Sequence, residues 1–437
     1  MWTRCLRSFD GDANAAQRAA SLLSRFVAAA ALVLIAATWL LWPPPAAFPR
    51  VPVVGALSGV PAWLEGTLLV AACMALIGAL VAGNRRRIGR GSLLVYAAAV
   101  ACLVLADQHR LQPWAYQLSL LALILAVLPP HEAIAWARLL VVSIYFYSAL
   151  SKLDWTFFES GGGQIVDGLW TFLHLHHEAV GPSQRFMAVS LPLGELLVAA
   201  GLCSRRTRRA ALLASVAMHL LLLAALSPWG AGHKPGVLLW NVYFIAQNIV
   251  LFGVAGERKQ PAEIAFDSHL NSPRRSLARL AARGLVVFAV LFPLSEPFGI
   301  CDVWPAWAVY ATGPERLRVY ISAADVGRLP AGVRAYVDAP RFLDGRCLVR
   351  IDRWSLQATR APLYPQNRFR LGVALALAQA AGADESIHVE IDGPANRWTG
   401  RRSTHTLTGS AAIAAELHRD WLNGFPRPFA EPRPFAE

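Results

Sequence analysis

The chain has 437 residues, 55% hydrophobic and only 16% charged, where a soluble globular chain carries about 25% charge. Its net charge of +13 sits in short basic clusters between apolar runs, which is how membrane topology is encoded and argues against a nucleic-acid partner. Six scattered cysteines are too few for a disulfide scaffold.

The apolar runs fall near 24–42, 63–83, 91–107, 114–129, 134–153, 185–203, 210–227, 236–255 and 278–299. Each is close to the length that crosses a ~30 Å hydrocarbon core. Backbone in lipid must satisfy its own hydrogen bonds, so each is predicted to be a helix. The first run is read as a span, not a signal peptide, because Trp42-Pro43-Pro44-Pro45 follows it in place of a small-residue cleavage site. Alternate segments carry 18 basic residues, among them Arg85–Arg87, Arg205, Arg206, Arg208 and Arg209, whereas the short opposite loops carry Arg50, Arg110, Lys152, Arg185 and Lys234. The positive-inside rule then predicts a multi-pass protein of the cell inner (plasma) membrane. Residues 1–23 form a cytoplasmic tail, 24–300 an all-α bundle of about nine spans, and 301–425 a small extracytoplasmic α+β domain.

Within that domain, Leu317–Ile321 and Ile387–Ile391 alternate at period two as half-buried strands do, and 366–381 and 409–422 have helical spacing. Pro-Arg-Pro-Phe-Ala-Glu occurs twice over 426–437, which is read as a disordered end. Cys301 and Cys347 lie outside the membrane in this reading, and either a bridge or two buried thiols fits them.

Polar groups inside a membrane are costly and often functional. Glu195, His219 and Gln247 each lie ten or eleven residues into their spans, roughly 15 Å deep at 1.5 Å per residue. Equal depth allows Glu195 and His219 to hydrogen-bond, either as a polar floor beneath a pocket or as a structural interhelical bond. Lys152 follows span five, flanked by Tyr145, Tyr147, Trp155 and Phe158. Apolar surroundings disfavour an ammonium ion, and a neutral lysine can act as a base. Asp154 opposes that if it pairs with Lys152, and an interfacial lysine beside an aromatic belt is the alternative. Asp107 and Arg110, near Tyr116, can pair across the mouth of a cavity. His174 with His177 or Glu178 has helical metal-ligand spacing, but interfacial histidines are commonplace and no metal is expected.

The segment Ser148–Trp155, with its Lys-Leu-Asp, resembles the corresponding segment of the vitamin K-dependent γ-glutamyl carboxylases and of their bacterial relatives, the HTTM (horizontally transferred transmembrane) domain proteins. Asp107…Trp114-Ala115-Tyr116 precede it, and Gly194-Glu195-Leu196, Met218-His219 and Trp240-Asn241 follow in the family's order. The resemblance implies a membrane quinone or hydroquinone as cofactor, and Lys152 as the base in quinol-linked oxidation or carboxylation. Gln112-Pro113-Trp114 stands where the carboxylases have Asn-Asn-His, which argues against glutamate carboxylation itself. The other reading is a non-enzymatic scaffold or lipid- or quinone-binding protein, with the bilayer around it and an envelope protein at its exterior domain.

Overall fold

The computed structural model describes residues 13–44, 47–83, 87–175, 182–254, 273–340 and 345–429. The helices are α1 (Ala13–Ala37), α2 (Ala62–Ala82), α3 (Arg87–Ala106), α4 (Pro113–Val127), α5 (Pro130–Leu150), α6 (Gly162–Phe172), α7 (Pro182–Leu202), α8 (Arg208–Leu226), α9 (Pro235–Asn248, continued as a π turn to Val254) and α10 (Pro273–Leu291). Among the described residues eight helices are long and apolar enough to cross a membrane, and the chain is a multi-pass membrane protein. The ninth expected span is α4, whose 15 residues rise about 22 Å, short of a ~30 Å core. The first span also differs: α1 begins at Ala13 and ends at Ala37. Its early turns, which include Arg18 and Arg25, are less apolar than the run that marked the span. Trp39–Leu41 form a separate 3-10 turn.

The chain divides into two compact units. One holds the residues up to 34, 71–98 and 116–312, and the other holds 35–70, 99–115 and the chain from 313 on. In the first unit α5 is the axis: 72% of its apolar window is buried, against 28% for α7 and α8. Leu197 and Leu213 remain more than 70% exposed, a large cost in water and none against lipid. The ends of neighbouring helices are tied by charge. Arg90 Nε and Nη2 donate to the carbonyls of Ala126 and Leu128 (2.7 and 2.8 Å), so the last turn of α4 ends beside the first turn of α3. Arg283 of α10 pairs with Glu132 of α5 (2.6 Å), and Arg138 Nε donates to the Leu251 carbonyl (2.7 Å). α6 lies against α7 and α8. The contact is close because Gly168 has no side chain to meet the Ala225 carbonyl.

The second unit is built on an antiparallel sheet, β1 (Arg316–Ser322), β2 (Arg346–Val349), β3 (Ile387–Asp392) and β4 (Thr404–Thr408), in the order β2-β1-β3-β4. Two of these strands follow the period-two runs. The other two are short, and β4 is polar and exposed. Leu317, Val319, Ile321, Val389 and Ile391 form a buried sheet face that α12 (Asn367–Ala381) covers, with α13 (Gly409–Leu417) beside it, while α11 (Ile351–Thr359) packs on the Trp39–Leu41 turn. Phe48 packs into this unit between the rings of His109, Trp354 and Phe369, at 5.4, 4.4 and 6.5 Å.

A buried carboxylate organises the same unit. Glu65 is fully buried and meets Arg50 (2.9 Å), Arg110 (2.6 Å) and Arg427 (2.6 Å). Arg427 also donates to the carbonyls of Leu57 and Ala106 (2.9 and 3.2 Å). The segment read as a disordered end is therefore anchored at its start: Arg427 is held by Glu65, and Phe429 lies edge-on to Trp354 at 5.9 Å. Residues 430–437 lie outside the described residues. Cys301, weighed with Cys347 as a bridge or as two buried thiols, belongs to the first unit and Cys347 to the second. Both are buried free thiols, and Cys347 sits within β2 opposite Ile321.

Two predictions follow from this packing. Glu65→Leu leaves three guanidiniums crowded together and unanswered, and should lower the stability of the second unit by roughly 3–5 kcal/mol, read as early proteolysis of the C-terminal region on heating. His109 is buried, and burial holds its imidazole below the usual range, with Asp107 opposing. The unfolded chain therefore binds more protons as pH falls through about 6.5, so stability is full above that pH and declines below it. Melting curves between about pH 7.5 and 5.5 should show this slope, and His109→Gln should flatten it.

Candidate functional site

Lys152 follows the last turn of α5, where its amide donates to the Ala149 carbonyl (3.0 Å). This turns its side chain back along the helix toward α7. Nζ donates to Ser148 Oγ (2.6 Å) and to both oxygens of Glu195 (2.8 and 3.0 Å). The lysine is 4% exposed and Glu195 9%, so this ion pair is shielded from water. Asp154 is not its partner. That carboxylate accepts from Thr156 Oγ1 (2.6 Å) and the Phe157 amide (2.8 Å), capping the turn that leads to α6.

His219 does not bond Glu195; it has its own two partners. Nδ1 faces Asn241 Oδ1 (2.8 Å) and Nε2 faces the Tyr145 hydroxyl (2.7 Å). Asn241 Nδ2 donates to the Val237 carbonyl (2.8 Å), which fixes the amide with its oxygen toward His219. Nδ1 must therefore carry the proton, and Nε2 accepts from Tyr145. Asn248 Nδ2 donates in turn to the Tyr145 oxygen (2.7 Å). Both ring nitrogens are engaged.

The ion pair and this Tyr-His-Asn chain line one cavity of about 70 Å³, closed by Trp240, Phe244, Trp307 and Tyr310. Trp307 is fully buried. Its indole N–H has no acceptor among the described residues, leaving one donor for a water or similarly small guest. A dry cavity of ~150 Å³ is needed to admit benzene, whereas one water needs ~10–15 Å³. The space beside Lys152 thus suits a few waters. Trp307 and Tyr310 adopt left-handed backbone conformations, φ 60° and 63°, which non-glycine residues adopt only where the surroundings hold them.

The remaining sequence candidates lie elsewhere. Gln247 accepts from Gln117 Nε2 (3.0 Å), whose own oxygen accepts from Trp240 Nε1 (2.7 Å). Tyr116 stacks on Trp307 at 5.0 Å. Asp107 and Arg110 do not pair. Asp107 accepts from the His109 amide (3.1 Å), and Arg110 serves Glu65. His176, His177 and Glu178 lie outside the described residues. Sequence reasoning passed over Glu65, an acid within an apolar run, and Asn248, a polar residue one place beyond Gln247.

Residues 130–233 match the family model described as methylamine utilisation protein MauE, a family of membrane proteins. No curated protein and no solved structure matches the chain. The matched stretch contains Ser148–Trp155, Glu195 and His219, the motifs that resembled the HTTM proteins and the carboxylases. It overturns that resemblance, which rested on short motifs in a shared order.

The site's internal bonds are testable by stability. His219→Leu strands the Tyr145 hydroxyl and Asn241 oxygen in an apolar bundle and should cost roughly 1–3 kcal/mol. Adding Asn241→Leu, which removes the stranded amide, should recover part of that loss in detergent melts.

Proposed function

We propose that the chain is a non-catalytic membrane scaffold. The observation that carries this reading is that all three donors of Lys152 are spent, on Ser148 and on both oxygens of Glu195. A general base must offer a lone pair to its substrate, whereas this amine is a strut between α5 and α7. The cavity its head faces is small, about 70 Å³. The match of residues 130–233 to a family of membrane proteins supports the membrane part of the reading.

The scaffold sits in the inner (plasma) membrane with its N-terminus in the cytoplasm, following the excess of basic residues on alternate segments. Short as it is, α4 counts as a pass, because its end returns to the first turn of α3; nine passes among the described residues then put the α+β domain on the exterior face, where it recognises an envelope partner. An export-dependent reporter should be active when fused at Glu437 and inactive at Gly256. The reverse pattern overturns the orientation.

For the strut, two variants are decisive in a host lacking its own copy of the gene. Lys152→Arg keeps an ion pair to Glu195, and the paired change Lys152→Met with Glu195→Met replaces both charges by apolar groups of similar size. Both should restore the parental phenotype. Folded protein of both kinds that fails to do so would return Lys152 to a chemical role.

A further inference from the structure

The second unit holds a basic cavity that the scaffold reading does not use. β2 ends at Val349, opposite Val319, while β1 begins three residues earlier, at Arg316 opposite Asp392. Residues 316–318 therefore have a strand neighbour on the β3 side only. In this gap, where the chain turns into α11, lies a cavity of about 590 Å³, within the ~300–1,000 Å³ typical of small-molecule sites.

Its lining combines two chemistries. Leu348, Leu356 and Leu363 supply apolar wall, and Arg318, Arg350 and Arg370 supply positive charge against the one carboxylate of Asp352. Two of these arginines are answered locally. Arg318 pairs with Glu390 and Asp392 (3.2 and 3.0 Å), and Arg350 with Asp352 and Asp338 (3.2 and 3.9 Å). Arg370, on α12, differs. It makes no ion pair among the described residues, and its Nε is shut from solvent with no acceptor. Glu315, the other carboxylate acting on it, bonds Asn367 Nδ2 instead (2.6 Å). Burial pushes the Arg370 guanidinium down to about 10, with Asp352 and Glu315 opposing, so it stays charged at neutral pH.

Arg370 is half-buried at the cavity wall, and its Nε, cut off from both water and any acceptor, is a donor that an anion in the cavity would satisfy. Its planar fork matches a carboxylate or phosphate with two parallel hydrogen bonds. We propose that this cavity binds a small amphiphilic anion, its carboxylate or phosphate head on Arg370 and its apolar body against Leu348, Leu356 and Leu363. The head can belong to a free amphiphile or to an anionic lipid.

The full chain in zwitterionic-lipid nanodiscs should bind octanoate or octyl phosphate saturably in calorimetric titration. Arg370→Met should weaken that binding roughly tenfold or more, while 1-octanol should not distinguish the two proteins. Should Arg370→Met fail to fold, Leu356→Trp keeps the guanidinium but fills the cavity, and must abolish binding equally. Repeating the titration in anionic-lipid nanodiscs separates the sources: suppressed binding identifies a lipid headgroup as occupant, and unchanged binding a free amphiphile. Absence of saturable binding of both anions by the unmodified chain in zwitterionic discs, or equal binding by it and the folded variants, overturns the proposal.

Discussion

A charge removed from water has to be answered nearby, because leaving it alone costs several kcal/mol. Each unit is arranged around one such answer. In the helical unit the ammonium of Lys152 and the carboxylate of Glu195 meet at 2.8 Å, which fixes how α5 and α7 face one another. Once these two helices are in register, Tyr145 of α5 comes within 2.7 Å of His219 on α8, and Asn241 of α9 closes on the same ring. In the second unit the single carboxylate of Glu65 gathers Arg50, Arg110 and Arg427 from three distant stretches of chain.

The cavity between the ion pair and the Tyr-His-Asn chain owes its form to these bonds. Lys152, Glu195, Tyr145, His219, Asn241 and Trp240 on its wall are each bonded to protein partners, so these side chains are held before any guest arrives. Trp307 and Tyr310 close it in left-handed conformations, each at a cost of order 1–3 kcal/mol. Tyr116 stacked against Trp307 and Tyr310 packed near His233 at 5.8 Å are the contacts that offset it.

Much of this was legible in the sequence, and what was not has a physical cause. Hydropathy gives a residue's depth in a helix but not which neighbour that face meets. Lys152, Glu195 and His219 could therefore be singled out, while their partners could not. Glu195 and His219 do lie on the walls of one cavity, yet they do not bond each other: Glu195 takes Lys152, and His219 takes Tyr145 and Asn241. Asp154 reads as a counter-ion to Lys152 in sequence but serves as a cap, since the amide of Phe157 is three residues away and aligned. Arg427 looked like part of a repetitive end because its partner, Glu65, lies 362 residues away. The C-terminal strands at 317–321 and 387–391 alternate cleanly. β2, with four residues, and β4, polar and exposed, carry no comparable signal. The likeness to the carboxylases failed for a related reason: short motifs in order specify a path through the membrane without fixing the chemistry at the end of it.

The central claim is that Lys152 and Glu195 stabilise the bundle as a pair. A double-mutant cycle on the full chain in detergent measures it most directly, with Lys152→Met, Glu195→Met and the combined variant followed by reversible unfolding. Each single change leaves one charge alone and should cost roughly 3–5 kcal/mol, while the combined variant should recover most of that loss. Additive losses, with the combined variant no more stable than the sum of the two single changes predicts, would contradict the account.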